Sequence, residues 1–260
     1  MEFTPEAAEA AQEAAEAPEV GHAAVAFQRA RKPEQREMRR QAILDAAQEL
    51  LAETPAADIS LREIARRLGG SKSGIVRYYE TREALFLELL QRARQQWLDE
   101  LENRLPTPGE AVEAGDDEDA LVRAVTDEWA ASLAERPVLC ELWSMLAAVL
   151  ERNVSPESIR SFKLGNREQL DCLARMIAKR IPRLGEAAAG ELVNTSVVVI
   201  VGLWPFANPT EAVREAIDDP RLAASHIDFA QSLARTLQVL IRGLTGTVSP
   251  RAAEASRAGR

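Results

Sequence analysis

"SLREIARRLGGSKSGIVRYYE", residues 60–80, carries the reading of the fold. Ser60-Leu61-Arg62-Glu63 has the Ser-x-x-Glu form of a capping box, with Ser60 as N-cap and Glu63 reaching back to the opened turn. Leu61, Ile64, Ala65 and Leu68 stand at i, i+3, i+4 and i+7, a narrow core-facing stripe that leaves Arg62, Arg66 and Arg67 on the other sides. Gly69-Gly70 ends this helix, because glycine takes the left-handed geometry without a Cβ penalty. Ser71 then caps a short helix through about Tyr78. Ile75 and Tyr79 face a core, while Lys72, Ser73, Gly74, Arg77 and Tyr78 are left outward. Two short helices joined by a tight glycine turn form a helix-turn-helix pattern.

Working outward, Ile43, Leu44, Ala47, Leu50 and Leu51 recur at helical spacing, so a first helix runs from Pro33–Glu34 to Ala52 and stops before Pro55. Thr81 caps a fourth helix whose Leu85, Phe86, Leu89, Leu90, Ala93 and Trp97 form an apolar stripe reaching about Leu105. Pro106, Pro108, Gly109, Gly115 and the acidic "DDED" mark a boundary. Further helices are expected at about 118–135, 138–152, 156–181, 186–206, 209–217 and 222–243. Ser155-Pro156 and Asn208-Pro209 each place an N-cap residue before a proline at the first helical position. Val197–Val201 suits a buried strand by local preference, but its helical surroundings favour a buried helix.

The expected fold is all-α: an N-terminal three-helix helix-turn-helix DNA-binding domain and a larger C-terminal helical domain. The layout is a disordered acidic tail and basic arm (1–32), the helix-turn-helix domain (33–82), a connecting helix (83–105), the C-terminal domain (106–245) and a disordered tail (246–260). Arg29, Arg31 and Lys32 form the arm, which either lies along a DNA groove or is merely solvated.

Charge points the same way once it is divided. The 260-residue chain carries a net −9 and is 46% apolar, enough for a real core. Residues 1–28 hold six Glu and no Lys or Arg, whereas residues 29–97 hold fourteen basic and ten acidic side chains. The local excess of positive charge suits phosphate. A helix-turn-helix also serves protein interaction, but this charge favours DNA. The longest apolar stretch, Leu192–Phe206, falls short of the ~20 residues of a spanning helix, and the acidic N-terminus lacks the features of a signal peptide. The chain therefore reads as cytoplasmic, with no membrane partner. Cys140 and Cys172 lack CxxC spacing, and neither His22 nor His226 has a carboxylate pair, nucleophile motif or phosphate-binding loop beside it. No metal, cofactor or enzymatic activity is expected.

Residues 42–90, "AILDAAQELLAETPAADISLREIARRLGGSKSGIVRYYETREALFLELL", resemble the DNA-binding domain of TetR-family transcriptional regulators. The family's Ser-Lys, aromatic pair and Ser/Thr-Lys/Arg-Glu-x-Leu appear as Ser71-Lys72, Tyr78-Tyr79 and Thr81-Arg82-Glu83-Ala84-Leu85. The resemblance implies DNA contacts through Ser60, Arg62, Ser71, Lys72, Ser73, Gly74, Arg77, Tyr78 and Arg82. Arg62 would read a base, Ser71 to Gly74 would face the major groove, and Lys72, Tyr78 and Arg82 would meet phosphates. Arg66 and Arg67 are either phosphate ligands or a solvated face. Val76 stands where many members have tyrosine and Gly74 where threonine is common. Val76 is left between touching a thymine methyl and packing in the core.

For the C-terminal half the resemblance implies a small-molecule effector and a homodimer formed through the last two long helices. The sequence agrees on the dimer: the helix from about Glu186 to Phe206 is apolar almost all round, and Ile227, Ala230, Leu233, Leu237, Leu240 and Ile241 make a partner stripe. Recognition helices one DNA turn apart would demand a palindromic operator. Trp129, Trp143, Met145, Met176, Trp204 and Phe206 are candidates for a pocket taking an apolar or aromatic effector. The runs "ELWSMLAAVLERNVS" and "GLWPFANP" resemble segments of actinobacterial members. The expected function is a ligand-released repressor. A constitutive regulator, an activator and a thiol sensor using the cysteines are the competing readings.

Overall fold

Alanine, leucine and long charged side chains, the better helix formers, fill the segments between the prolines and glycines, and the chain folds as helices. The computed structural model describes residues 20–107 and 118–247, and among these there is no strand. In order they form α1 (Val20–Glu53), a 3₁₀ turn (Ala56–Asp58), α2 (Leu61–Arg67), α3 (Lys72–Val76), α4 (Arg82–Arg104), α5 (Glu118–Ala134) and α6 (Pro137–Met145). A π turn (Leu146–Leu150) follows α6, then α7 (Pro156–Arg180), a 3₁₀ turn (Pro182–Leu184), α8 (Gly185–Ala207), α9 (Glu211–Ile217), a 3₁₀ turn (Pro220–Ser225) and α10 (Phe229–Thr247). The expected tails and the Pro108–Gly115 connection fall wholly or largely on residues 1–19, 108–117 and 248–260, outside the described residues.

Three boundaries differ from the sequence reading. Helix α1 begins at Val20, so Pro33 lies inside it and the expected basic arm is helical backbone. The run Ala23-Ala24-Val25-Ala26 before Pro33 is rich in the best helix former, and the helix continues through the proline although its ring removes one backbone bond and crowds the carbonyl a turn earlier. Asn208 caps the C-terminus of α8 instead of opening α9. Its N–H and its side-chain Nδ2 both donate to the Trp204 carbonyl, and α9 starts at Glu211 after Thr210. The last helix starts at Phe229, because Pro220 to Ser225 tighten into a 3₁₀ turn opened by the Asp219 side chain.

The chain divides into two units, Met1–Asp45 and Ala46–Arg260. In the first, Gln41 Nε2 donates to Glu37 Oε1 at 2.7 Å, Met38 is exposed, and Ile43 and Leu44 are buried. In the second, α2 packs on α3. Helix α4 runs on to pack against α5, α6, the π turn and α7. Helix α8 packs on α6, α7 and α10, and α10 packs along α5. The core of this unit holds Trp97, Trp129 and Trp143, all essentially without exposure. The Trp97 Nε1–H donates to Ser132 Oγ at 2.9 Å, and that hydroxyl donates to the Trp129 carbonyl at 2.8 Å, so this buried pair is satisfied. Pro182–Ala207 is long and apolar enough to cross a membrane by length and composition. One face of its α8 portion packs on α6, α7 and α10, and the valine run is helical as expected, but of Val197–Val201 only Ile200 is buried and Val198 is exposed, so the expected burial holds for one side of the helix alone.

Candidate nucleic-acid interface

The recognition turn is built from local rules. Ser60 Oγ accepts the Glu63 N–H at 3.3 Å while the Ser60 N–H donates to Glu63 Oε2 at 2.8 Å, closing the capping box. The Ser60 N–H, and the Ser60 hydroxyl that donates to the same Oε2 at 2.9 Å, hold the Glu63 carboxyl below the usual range. At the other end of α2 the Gly70 N–H donates to the Ala65 carbonyl at 2.8 Å and the Gly69 N–H to that of Arg66 at 3.1 Å. This is a Schellman motif, with Gly69 at φ +62° in its left-handed position. Of the two glycines, only Gly69 needs to be one for backbone reasons. Ser71 Oγ accepts the Gly74 N–H at 3.3 Å and shares a 2.9 Å bond with Ser73 Oγ, opening α3. Thr81 Oγ1 accepts the Ala84 N–H at 3.1 Å and opens α4.

On this scaffold Ile75 and Tyr79 are buried, as expected, while Arg62, Lys72, Ser73 and Arg77 are exposed. Among the described residues Arg62, Lys72 and Arg77 have no acidic partner. Gly74 and Tyr78 are half-buried. Val76 is 42% exposed, so it is not packed away in the core. Arg67 is turned back on the first helix, pairing with Glu53 at 2.5 Å and Glu49 at 3.5 Å, and its guanidinium holds the Glu53 carboxyl below the usual range. Arg66 leans on Glu63 at 3.9 Å.

Arg82, expected to meet a phosphate, donates hydrogen bonds within the chain. Its Nη1 donates to the carbonyls of Ile59 (2.9 Å), Ala57 (3.0 Å) and Ala56 (3.4 Å), and its Nη2 to Glu83 Oε1 (3.2 Å). The Nη1 group thus gathers the carbonyls of the 3₁₀ turn and of Ile59, just before α2. Sequence reasoning also missed Glu141 of α6, whose Oε1 accepts the Ala56 N–H at 3.0 Å. The same turn is thus held from α4 and from α6. A glutamate in an apolar helix was the available signal, but its partner lies too far away in sequence to be read.

These helices match known proteins. The family described as "Bacterial regulatory proteins, tetR family" covers residues 43–89, and "Tetracyclin repressor-like, C-terminal domain" covers residues 91–247. The chain belongs to the TetR family of transcriptional regulators. A TetR-family regulator from Mesorhizobium loti is similar in structure at 17% identity and a TM-score of 0.50, covering 81% of this chain and 96% of that one. A TetR/AcrR-family regulator from Thermobifida fusca shares 19% identity at a TM-score of 0.44, covering 82% and 99%. NalD of Pseudomonas aeruginosa, the secondary repressor of the MexAB-OprM multidrug efflux pump, shares 20% identity at a TM-score of 0.42, covering 80% and 97%. No curated protein matches the chain in sequence. As a TetR-family regulator the protein binds DNA through the helix-turn-helix of α2 and α3.

The predicted effector residues differ in exposure and in ring partners. Trp143 and Trp129 are wholly buried, Met176 is buried in α7, and Met145 is half-buried where α6 passes into the π turn. Trp143 meets Trp97 edge-on at 6.2 Å. Trp204 pairs instead with Phe229 at 5.0 Å, and Phe206 is 71% exposed on the outer side of α8. Residues two apart on a helix point in nearly opposite directions, which is why Trp204 and Phe206 do not share a site. Burial pushes the Cys140 thiol up to about 12, far from the thiolate that sensing requires.

Proposed function

We propose that this regulator is a homodimeric repressor that binds a palindromic operator and releases it when a small, largely apolar effector enters the C-terminal domain. The observation that carries the DNA side is the set of exposed cations Arg62 on α2, Lys72 on α3 and Arg77 at the C-cap of α3, which have no acidic partner among the described residues. Arg62 reads a base edge from the start of α2. Lys72, Ser73, Gly74, Arg77 and Tyr78 face the major groove and its phosphates, and the hydroxyls of Ser60 and Ser71 stand at the N-termini of the two helices. Arg82 acts from behind, as the anchor of the turn.

The dimer reading is supported by apolar side chains left outward on the last two long helices, Val198 and Phe206 on α8 and Val239 on α10, whereas Leu233, Leu237 and Ile241 of the stripe read from the sequence are buried within the chain. Paired across a two-fold axis they would be buried in a four-helix bundle. The domain layout follows: a DNA-binding module over 33–82, a connecting helix over 83–105 and an effector and dimer domain over 106–245. The protein works by binding, without catalysis, in the cytoplasm.

The test is a fluorescence-anisotropy titration on the DNA upstream of the protein's own gene, at several salt concentrations. Arg62→Ala relaxes preference at one base position by ~1–3 kcal/mol. Lys72→Ala weakens all sequences alike and lowers the salt slope by about one. Unchanged affinity and slope in both variants would overturn the assignment, and a monomer in sedimentation at working concentration would overturn the dimer.

A further inference from the structure

The connecting helix α4 buries, against the C-terminal helices, a cation that has no counter-charge among the described residues. Arg94 of α4 is 0% exposed. Its Nε donates to Gln169 Oε1 at 2.6 Å and its Nη1 to Asn166 Oδ1 at 2.5 Å, both neutral amide oxygens of α7. Gln169 is itself oriented, since its Nε2 donates to the Gln91 carbonyl at 3.0 Å and to Gln95 Oε1 at 3.1 Å. The guanidinium carbon lies 5.4 Å from the ring centre of Trp143 and 6.0 Å from that of Phe162. Burial pulls the group down to about 10, with no carboxylate acting against it, so it is still charged at neutral pH. The remaining Nη2 is buried without a hydrogen-bond partner among the described residues, and so is the indole Nε1 of Trp143.

Both unmet groups of this cluster are donors. A buried charge held only by amides and ring faces is incompletely compensated, and what completes it is an anion that accepts from more than one N–H. The planar fork of a guanidinium matches a carboxylate, and the flanking rings of Trp143 and Phe162 suit an apolar body. We propose that Arg94 is the anchor of the effector site and that the effector is an organic acid, its carboxylate paired with Arg94 Nη2 and its apolar part against Trp143 and Phe162. The proposal rests on the ligand-responsive reading above and names the chemistry of its ligand.

The site is connected to the DNA-binding end by covalent structure. Arg94 lies on α4, which starts at the anchor residue Arg82. Trp143 lies on α6 two residues after Glu141, so one side of that helix faces the cluster while the other holds the Ala56 N–H. An anion that draws α4, α6 and α7 together acts on both supports of the turn before α2.

Matched probes test this on the full-length protein: decanoate beside decanamide, and indole-3-acetate beside indole-3-acetamide, each titrated by calorimetry and by release of the promoter fragment. At least one acid binds about ten-fold more tightly than its amide, the amount a charge-assisted hydrogen bond supplies. Arg94→Gln removes that preference, and Arg94→Lys keeps part of it. Trp143→Phe keeps the ring but loses the N–H, and it weakens the acid more than the amide; it serves where Arg94→Gln does not fold. Acid and amide binding alike, no acid binding at all, or an unchanged preference in Arg94→Gln and Trp143→Phe would each overturn the proposal. Release of DNA by an amide alone sinks the acid site but leaves the ligand-responsive reading standing. Acid binding through Arg94 without DNA release does the reverse.

Discussion

The α2–α3 turn and the cluster around Arg94 handle positive charge in opposite ways. At the turn, Arg62, Lys72 and Arg77 are exposed and without an acidic partner among the described residues, and a cation in water needs none. The backbone beneath them is completely capped, by Ser60 with Glu63, by Gly69 and Gly70, and by Ser71. In the C-terminal domain the order is reversed, for the aromatic core is dense and one cation within it is left half-satisfied. A surface awaiting a polyanion needs rigid backbone and free charge, whereas an interior site needs a charge whose desolvation only its ligand offsets.

The largest effect that tests this contrast is loss of the aromatic core. Trp97→Ala removes a fully buried ring and leaves Ser132 Oγ without its donor, so urea denaturation registers a loss of ~3–5 kcal/mol. A loss below about 1 kcal/mol would mean that the C-terminal packing is loose.

Next in size is the pairing of Arg82→Ala with Lys72→Ala, two cations of the same module placed in opposite roles. Arg82→Ala destabilises by ~1.5–3 kcal/mol, because it strips donors from three carbonyls, and it leaves the salt slope of DNA binding unchanged. Lys72→Ala leaves the melting temperature unchanged and lowers the slope by about one. Identical behaviour of the two variants would erase the distinction between anchor and contact.

The glycines sharpen the backbone side. Gly69→Ala costs ~1–2 kcal/mol in thermal denaturation because an L side chain is strained at φ +62°, while Gly70→Ala costs clearly less. Gly74→Ala has the smallest effect and the opposite sign. An added Cβ meets only Ser71 Oγ at 3.6 Å, so helix propensity stabilises α3 by up to ~1 kcal/mol, and a loss of DNA affinity in that variant would show close backbone approach at Gly74.

Much of this was legible because it is local. Ser60, Ser71, Thr81 and Ser155 cap helices as their sequence contexts predict, and Gly69 ends α2 by the rule that brings glycine to that position. The Asn208-Pro209 signal misled, since the same asparagine that would open α9 instead bonds back to the carbonyl of Trp204. Phe206 read as interior from composition, but it sits on the outer side of its helix. Arg94 was visible only as an interruption, for it follows Phe86 and Leu90 at the i+4 spacing of the buried stripe on α4.

Local rules thus set the helices, the turn between α2 and α3 and the family to which the chain belongs, because caps, left-handed glycines and apolar spacing act within a few residues. What a given arginine does was decided only by tertiary structure. Arg62 meets water, Arg82 meets the carbonyls of a turn and Arg94 meets amides and rings from other helices. The charge is the same in all three, and the surrounding dielectric and partners, brought from distant parts of the chain, give each its role.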